Sequence, residues 1–116
     1  MKTLSSFAGP LILLCAACAT FPVPNDQRAA SQAAYRGAQE AGADAQPQAK
    51  LALQLAQDES AKADQLVTQG RNQEAAALYD RSRADAELAV GLARESQLEA
   101  EAKTAADKVA ALRTSP

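Results

Sequence analysis

A chain of 116 residues with twelve Lys plus Arg, fourteen Asp plus Glu and no histidine carries a formal charge of -2. Lacking a basic stripe, it has no electrostatic footprint for nucleic acid, and lacking histidine it is without the commonest base at neutral pH and the commonest metal ligand. Thirty residues are alanine and only Phe7, Phe21, Tyr35 and Tyr79 are aromatic, so burial at roughly 25 cal/mol per Å² stabilises weakly per residue. Ala, Leu, Glu, Gln, Lys and Arg are strong helix formers, and the composition predicts an all-α protein of elongated helices.

Met1 and Lys2 form a charged start, Leu4 to Leu14 an apolar stretch broken at Gly9-Pro10, and Cys15-Ala16-Ala17-Cys18 a small-residue end. This is the layout of a secretory signal peptide, too short for a transmembrane helix, which needs about 20 apolar residues. A bacterial lipoprotein signal ends in a lipobox, where two small residues precede the acylated cysteine and a leucine usually precedes those. Cys18 follows Ala16-Ala17, with Cys15 standing where leucine is usual. Cleavage before Cys15 would instead push Leu13 and Leu14 into pockets that admit small side chains. The expectation is a lipoprotein signal peptide over residues 1 to 17, with Cys18 the lipidation site and membrane lipid its partner. Two or three acyl chains would hold it firmly, each buried CH₂ contributing about 0.8 kcal/mol. Ala19 in place of Asp suggests, by enterobacterial sorting rules, the outer membrane facing the periplasm. The competing expectation treats Ala17-Cys18-Ala19 as an ordinary A-x-A site that releases a soluble periplasmic protein. Two thiols without further Cys or His cannot complete a zinc shell.

Residues 18 to 26 read as a lipidated tether, because Pro22 and Pro24 block helix continuation. The folded part is expected over residues 27 to 113, with 114 to 116 as a tail. Asn25 or Asp26 is expected to cap a first helix running to Ala41, with Ala30, Ala33, Ala34, Ala38 and Ala41 on one face and Gly42 as its stop. Pro47 suits the first turn of a second helix that continues to Gln69 and ends at Gly70. Its predicted stripe is Ala52, Leu55, Ala56, Ala63, Leu66 and Val67. Asn72 is the expected cap of a third helix from Gln73 to Leu112, a rod of about 60 Å at 1.5 Å per residue. Gly91 is its weak point, costing about 1 kcal/mol relative to alanine.

The short Gly70-Arg71-Asn72 connection predicts an antiparallel helical hairpin of the last two segments. The first segment could complete a three-helix elongated bundle around the long C-terminal helix. Late in that helix Leu98, Ala102, Ala105, Val109 and Leu112 recur at 4-3-4-3 spacing, a coiled-coil-like seam that calls for a partner. The partner is either another segment folded back or a second copy of the chain.

Three blocks resemble a family of Ala-rich helical proteins of the bacterial envelope, domain of unknown function 4398. They are Ala41-Gly42-Ala43 with Pro47 and Leu51; Gly70-Arg71-Asn72-Gln73-Glu74-Ala75; and Ala84-Asp85-Ala86-Glu87-Leu88-Ala89 with Leu92-Ala93. The likeness covers about residues 29 to 113, and Gly-Arg-Asn replaces the family's common Gly-Asp-Tyr at the turn. It implies envelope location and a helical hairpin, and carries over no catalytic residue. Some relatives are joined to, or encoded near, OmpA-like peptidoglycan-binding domains, which makes an OmpA-like envelope protein a candidate partner. Leu66, Gly70, Glu74, Ala75 and Tyr79 also resemble part of a tetratricopeptide repeat, but one repeat cannot bury its own faces.

No pattern of carboxylates, no Ser or Thr beside a base and no glycine-rich phosphate loop points to catalysis, and no cofactor is implied. Arg113-Thr114-Ser115-Pro116 lacks the terminal lysine through which Braun-type lipoprotein joins the wall. Tyr79 is expected to pack between helices or to meet a partner, and Leu98, Val109 and Leu112 are candidate partner contacts. The functional expectation is a lipid-anchored structural or adaptor lipoprotein that catalyses nothing and presents a helical surface in the periplasm. The alternatives are a self-associating coiled-coil spacer and a soluble tetratricopeptide-like binding module.

Overall fold

Proline and glycine mark the ends of the elements in the computed structural model, which describes residues 20–114. The expected signal peptide over residues 1 to 17 and the expected lipidation site Cys18 lie outside the described residues. Helix α1 spans Asn25–Glu40, a 3₁₀ turn Ala43–Ala45, α2 Pro47–Thr68 and α3 Asn72–Thr114. The described residues form the elongated three-helix, all-α arrangement with one long C-terminal helix.

Buried Pro24 is the N-cap of α1, and its carbonyl accepts the Arg28 N–H at 3.0 Å. No side chain caps this end. Asn25 and Asp26, expected as caps, stand inside the first turn because the helix starts earlier than the sequence suggested; there Asp26 meets the positive end of the helix dipole. Gly42 at φ 81° ends α1 in the left-handed region. Pro47 occupies the first turn of α2, where its missing N–H costs nothing.

The α2–α3 connection is a Schellman motif built on Gly70 at φ 73°. The Gly70 N–H reaches the Val67 carbonyl at 3.0 Å and the Arg71 N–H the Leu66 carbonyl at 2.9 Å. Asn72 does not cap α3. Its Nδ2 donates to the Phe21 carbonyl at 2.8 Å, so the side chain ties the N-terminal segment to the turn. The carbonyl of Arg71 receives the Ala75 N–H at 3.0 Å, and its guanidinium pairs with Glu74, Nε to Oε1 at 2.7 Å.

Cross-helix bonds set direction. Phe21 meets Asn72, Ser31 meets Ser82 and Ala41 meets Gln97, so α1 runs parallel to α3. Ala56 meets Ser82 and Asp64 meets Tyr79, so α2 runs antiparallel to α3. One apolar cluster joins Ala38, Ala43, Ala49, Ala52, Leu53, Ala89 and Ala93; a second, nearer the α2–α3 turn, joins Ala63, Ala75 and Tyr79. Mostly alanine contacts let the helix axes approach closely.

The buried stripe of α2 passes through Ala49, Ala52, Ala56, Glu59 and Ala63, with Leu53 beside it. Leu55, expected in the stripe, is 48% exposed because a 3-4 repeat started from Ala49 steps past it. On α1 the buried centre is Ser31 with Ala38, whereas Ala33 is exposed. Beyond Ser96 no residue of α3 is covered: 97–114 are exposed all round, a projection of about 27 Å at 1.5 Å per residue.

Candidate functional site

Among the described residues three places along α3 stand out: a polar layer in the body, a carboxylate cluster beside it, and a bare stripe on the far side. In the layer, the Ser82 hydroxyl donates to the Ala56 carbonyl at 2.7 Å. Its single proton is thereby used, so the 2.7 Å bond between Ser31 and Ser82 has Ser31 as donor. Both serines are 1% exposed and stand between the two apolar clusters. Sliding α1 along α3 by one turn would leave the Ser31 hydroxyl unbonded in the interior, and sliding α2 would break the Ser82–Ala56 bond, so the layer sets the register of the three helices. Sequence reasoning gave neither serine a role, because no local pattern links residues 51 positions apart, the separation that also relates Phe21 to Asn72.

Beside this layer α1 and α2 line an open groove of about 400 Å³, whose surface includes Ser31, Ala56 and Ser82 together with Tyr35 and Asp64. Tyr35 Oη reaches Gln57 Oε1 at 3.5 Å, and Arg28 joins Asp64 at 3.1 Å. Asp64 also accepts the Tyr79 hydroxyl at 2.5 Å. Burial, followed by the hydrogen bond to Asp64 and then by its negative charge, pushes the Tyr79 phenol up to about 12. Tyr79 is wholly buried and so is an inter-helix packing residue; it offers no surface to a partner. The serine chain has no neighbouring base among its hydrogen-bond partners and can orient a hydroxyl without activating it.

The second place is Glu59, 8% exposed in the α2–α3 interface. One oxygen pairs with Arg81 at 2.8 Å while Oε2 is buried without a hydrogen-bond partner. Burial raises its pKa, and the neighbouring Asp85 raises it further, with Arg81 and Lys62 opposing. The cluster is an electrostatic strain in the hairpin. Among the described residues no group of three or more His, Cys, Asp and Glu is placed to hold a metal ion, and no helix is long and apolar enough to cross a membrane.

The third place is the far side of α3. The covered stripe recurs at Ala75, Tyr79, Ser82, Ala86, Ala89 and Ala93. Ala84 lies two residues from both Ser82 and Ala86, about 160° around the axis at 100° per residue. From there a second stripe runs through Leu88, Gly91, Leu98, Ala102, Ala105, Val109 and Leu112, interrupted by Glu95, and every member is exposed. Leu88 is 53% exposed, Leu98 64%, Val109 47% and Leu112 76%. The predicted seam from Leu98 to Leu112 is thus the outer part of a longer stripe that begins alongside the body. Its inner part was hidden in the sequence because alanines occupy several faces of α3 there. Neither α1 nor α2 folds back onto it.

Comparison with family models, curated proteins and solved structures found no match to this chain.

Proposed function

We propose that the protein is a lipid-anchored lipoprotein of the bacterial cell envelope, fixed by acylated Cys18 to the outer membrane and facing the periplasm. Its task is structural: it presents the bare stripe of α3 to a partner and performs no catalysis. The single observation that carries this reading is the division of α3 into a covered and an uncovered face. An amphipathic surface that runs past the end of its own bundle has no use inside the monomer, because apolar area left in water contributes nothing to folding.

The N-terminal segment fits the anchor. Asn72 holds Phe21 at the α2–α3 turn, so a tether from Cys18 leaves the rod at that end while 97–114 project from the other. The lipobox-like Ala16-Ala17-Cys18 and the likeness of residues 29 to 113 to domain of unknown function 4398 support the same compartment. The test is expression of the full chain beside Cys18→Ser. The unsubstituted protein should partition with membranes and carry a mass increase of acyl groups on its first residue, and Cys18→Ser should lose both. A native chain that begins beyond Cys18 and is released with soluble periplasmic contents would overturn the anchor.

A further inference from the structure

We infer that the partner of the bare stripe is a second copy of this chain, bound antiparallel, α3 against α3. The inference rests on the reading above for the role of the surface and is independent of the anchor.

The stripe chooses this occupant through shape and charge. In an antiparallel pair whose residue numbers at one level sum to 193, Leu88 faces Ala105 of the other copy, Val109 faces Ala84 and Gly91 faces Ala102. Leu88 and Val109 each meet an alanine, and glycine meets alanine near the middle. A Cβ at Gly91 would meet no atom within 4 Å in the monomer. Nothing among the described residues therefore requires a helix-weakening glycine at that point, whereas close approach of a second helix does.

The residues flanking the stripe on one side are Glu87, Arg94, Glu101 and Lys108, all exposed. In the same register Glu87 lies two residues, about 3 Å, from the level of Lys108 of the other copy and Arg94 equally near Glu101, within reach of these long side chains. The two-fold symmetry repeats both pairs, giving opposite charges at every level of that flank. A parallel, in-register pair is less favourable. It stacks Glu95 on Glu95 within the stripe, and at its edge the opposite pair Arg94 with Glu99 is offset by the like pair Lys108 with Arg113. In the antiparallel pair Glu95 faces Leu98, with its carboxylate free to reach water. The overlap runs from about residue 84 to 109 in each copy, roughly 37 Å of helix. It places the two α2–α3 turns at opposite ends, roughly 74 Å apart at 1.5 Å per residue. Two acylated tethers would then leave from opposite ends, and the dimer would lie along the membrane.

The test uses the full chain with Cys15→Ser and Cys18→Ser in nonionic detergent, so that neither lipid nor native thiol takes part. Sedimentation should give a dimer. Arg94→Glu with Lys108→Glu makes the flank wholly acidic, and Glu87→Lys with Glu101→Lys makes it wholly basic. Each double variant should lose the dimer while circular dichroism keeps its helix content, because all four side chains are on the surface. Mixing the two should restore a one-to-one heterodimer. A Leu88→Cys chain oxidised together with an Ala105→Cys chain should yield the mixed disulfide. A monomer at every concentration, a dimer indifferent to the charge changes, or a Leu88→Cys homodisulfide would each overturn the inference. So would crosslinking of this stripe in the envelope to a different protein in place of a second copy. Membrane partition of the unsubstituted chain is read separately, so failure of the anchor and failure of the dimer are told apart.

Discussion

Removing the Ser82 hydroxyl tests the polar layer most directly, because the two serines are unequal in the hydrogen-bond chain. Ser82 gives one bond to Ala56 and receives one from Ser31, both at 2.7 Å, whereas Ser31 makes only the latter. A buried hydrogen bond contributes about 1 kcal/mol net, and replacing Ser by Ala within a helix returns about 0.5 kcal/mol of intrinsic propensity. Ser82→Ala therefore loses two bonds and should cost about 1.5 kcal/mol. Ser31→Ala loses one and should cost about 0.5 kcal/mol by the same values. The double variant loses the same two bonds as Ser82→Ala and gains propensity twice, so it should cost about 1 kcal/mol, about half of the 2 kcal/mol sum of the single costs. The shortfall is the signature of a shared bond. Urea unfolding of the four proteins, followed by far-ultraviolet circular dichroism, measures it. Strictly additive costs, or a Ser31→Ala variant weaker than Ser82→Ala, would refute the assigned direction of donation and the idea that the layer sets helix register.

Tyr79→Phe should cost about 1 kcal/mol by loss of the bond to Asp64, measured by the same unfolding series. Alkaline absorbance titration should show one phenol ionising only near pH 12, and since the folded form holds that proton longer, stability should fall as pH rises from 10 to 12. Glu59, raised above 4.5 by burial and Asp85, also retains its proton longer when folded, so its contribution is most favourable below pH 4.5 and declines as pH rises through the folded pKa. Glu59→Gln should flatten that slope and stabilise the hairpin by about 1 kcal/mol at neutral pH, because the lost pairing is to a largely exposed Arg81; a destabilised Gln variant would contradict this account. Gly70→Ala should cost about 1 kcal/mol from its positive φ alone, since a Cβ there meets no atom within 4 Å.

Local rules made much of the architecture legible. Pro47 and the two glycines at positive φ located the breaks to within a residue or two, because a missing N–H and a left-handed turn are properties of single residues. The short connection at Gly70 likewise sufficed to foretell that α2 and α3 lie antiparallel. Caps were read less well: Pro24 took the place given to Asn25 or Asp26, and Asn72 spent its side chain on Phe21, a residue 51 positions away. No local pattern contains such a bond.

What the sequence by itself determined is that this chain is helical, where its helices break, and that its last turns bear an apolar seam, since propensity and periodicity act over one or two turns. Only the tertiary structure decided which of the many alanine faces of α3 is covered. With alanine on nearly every side, periodicity leaves several docking faces of similar energy, and the choice among them falls to a few polar groups, Ser31, Ser82 and Asn72, that find partners in one register. That choice buries the Ala75–Ala93 stripe and leaves the one through Leu88 and Leu98 open to water.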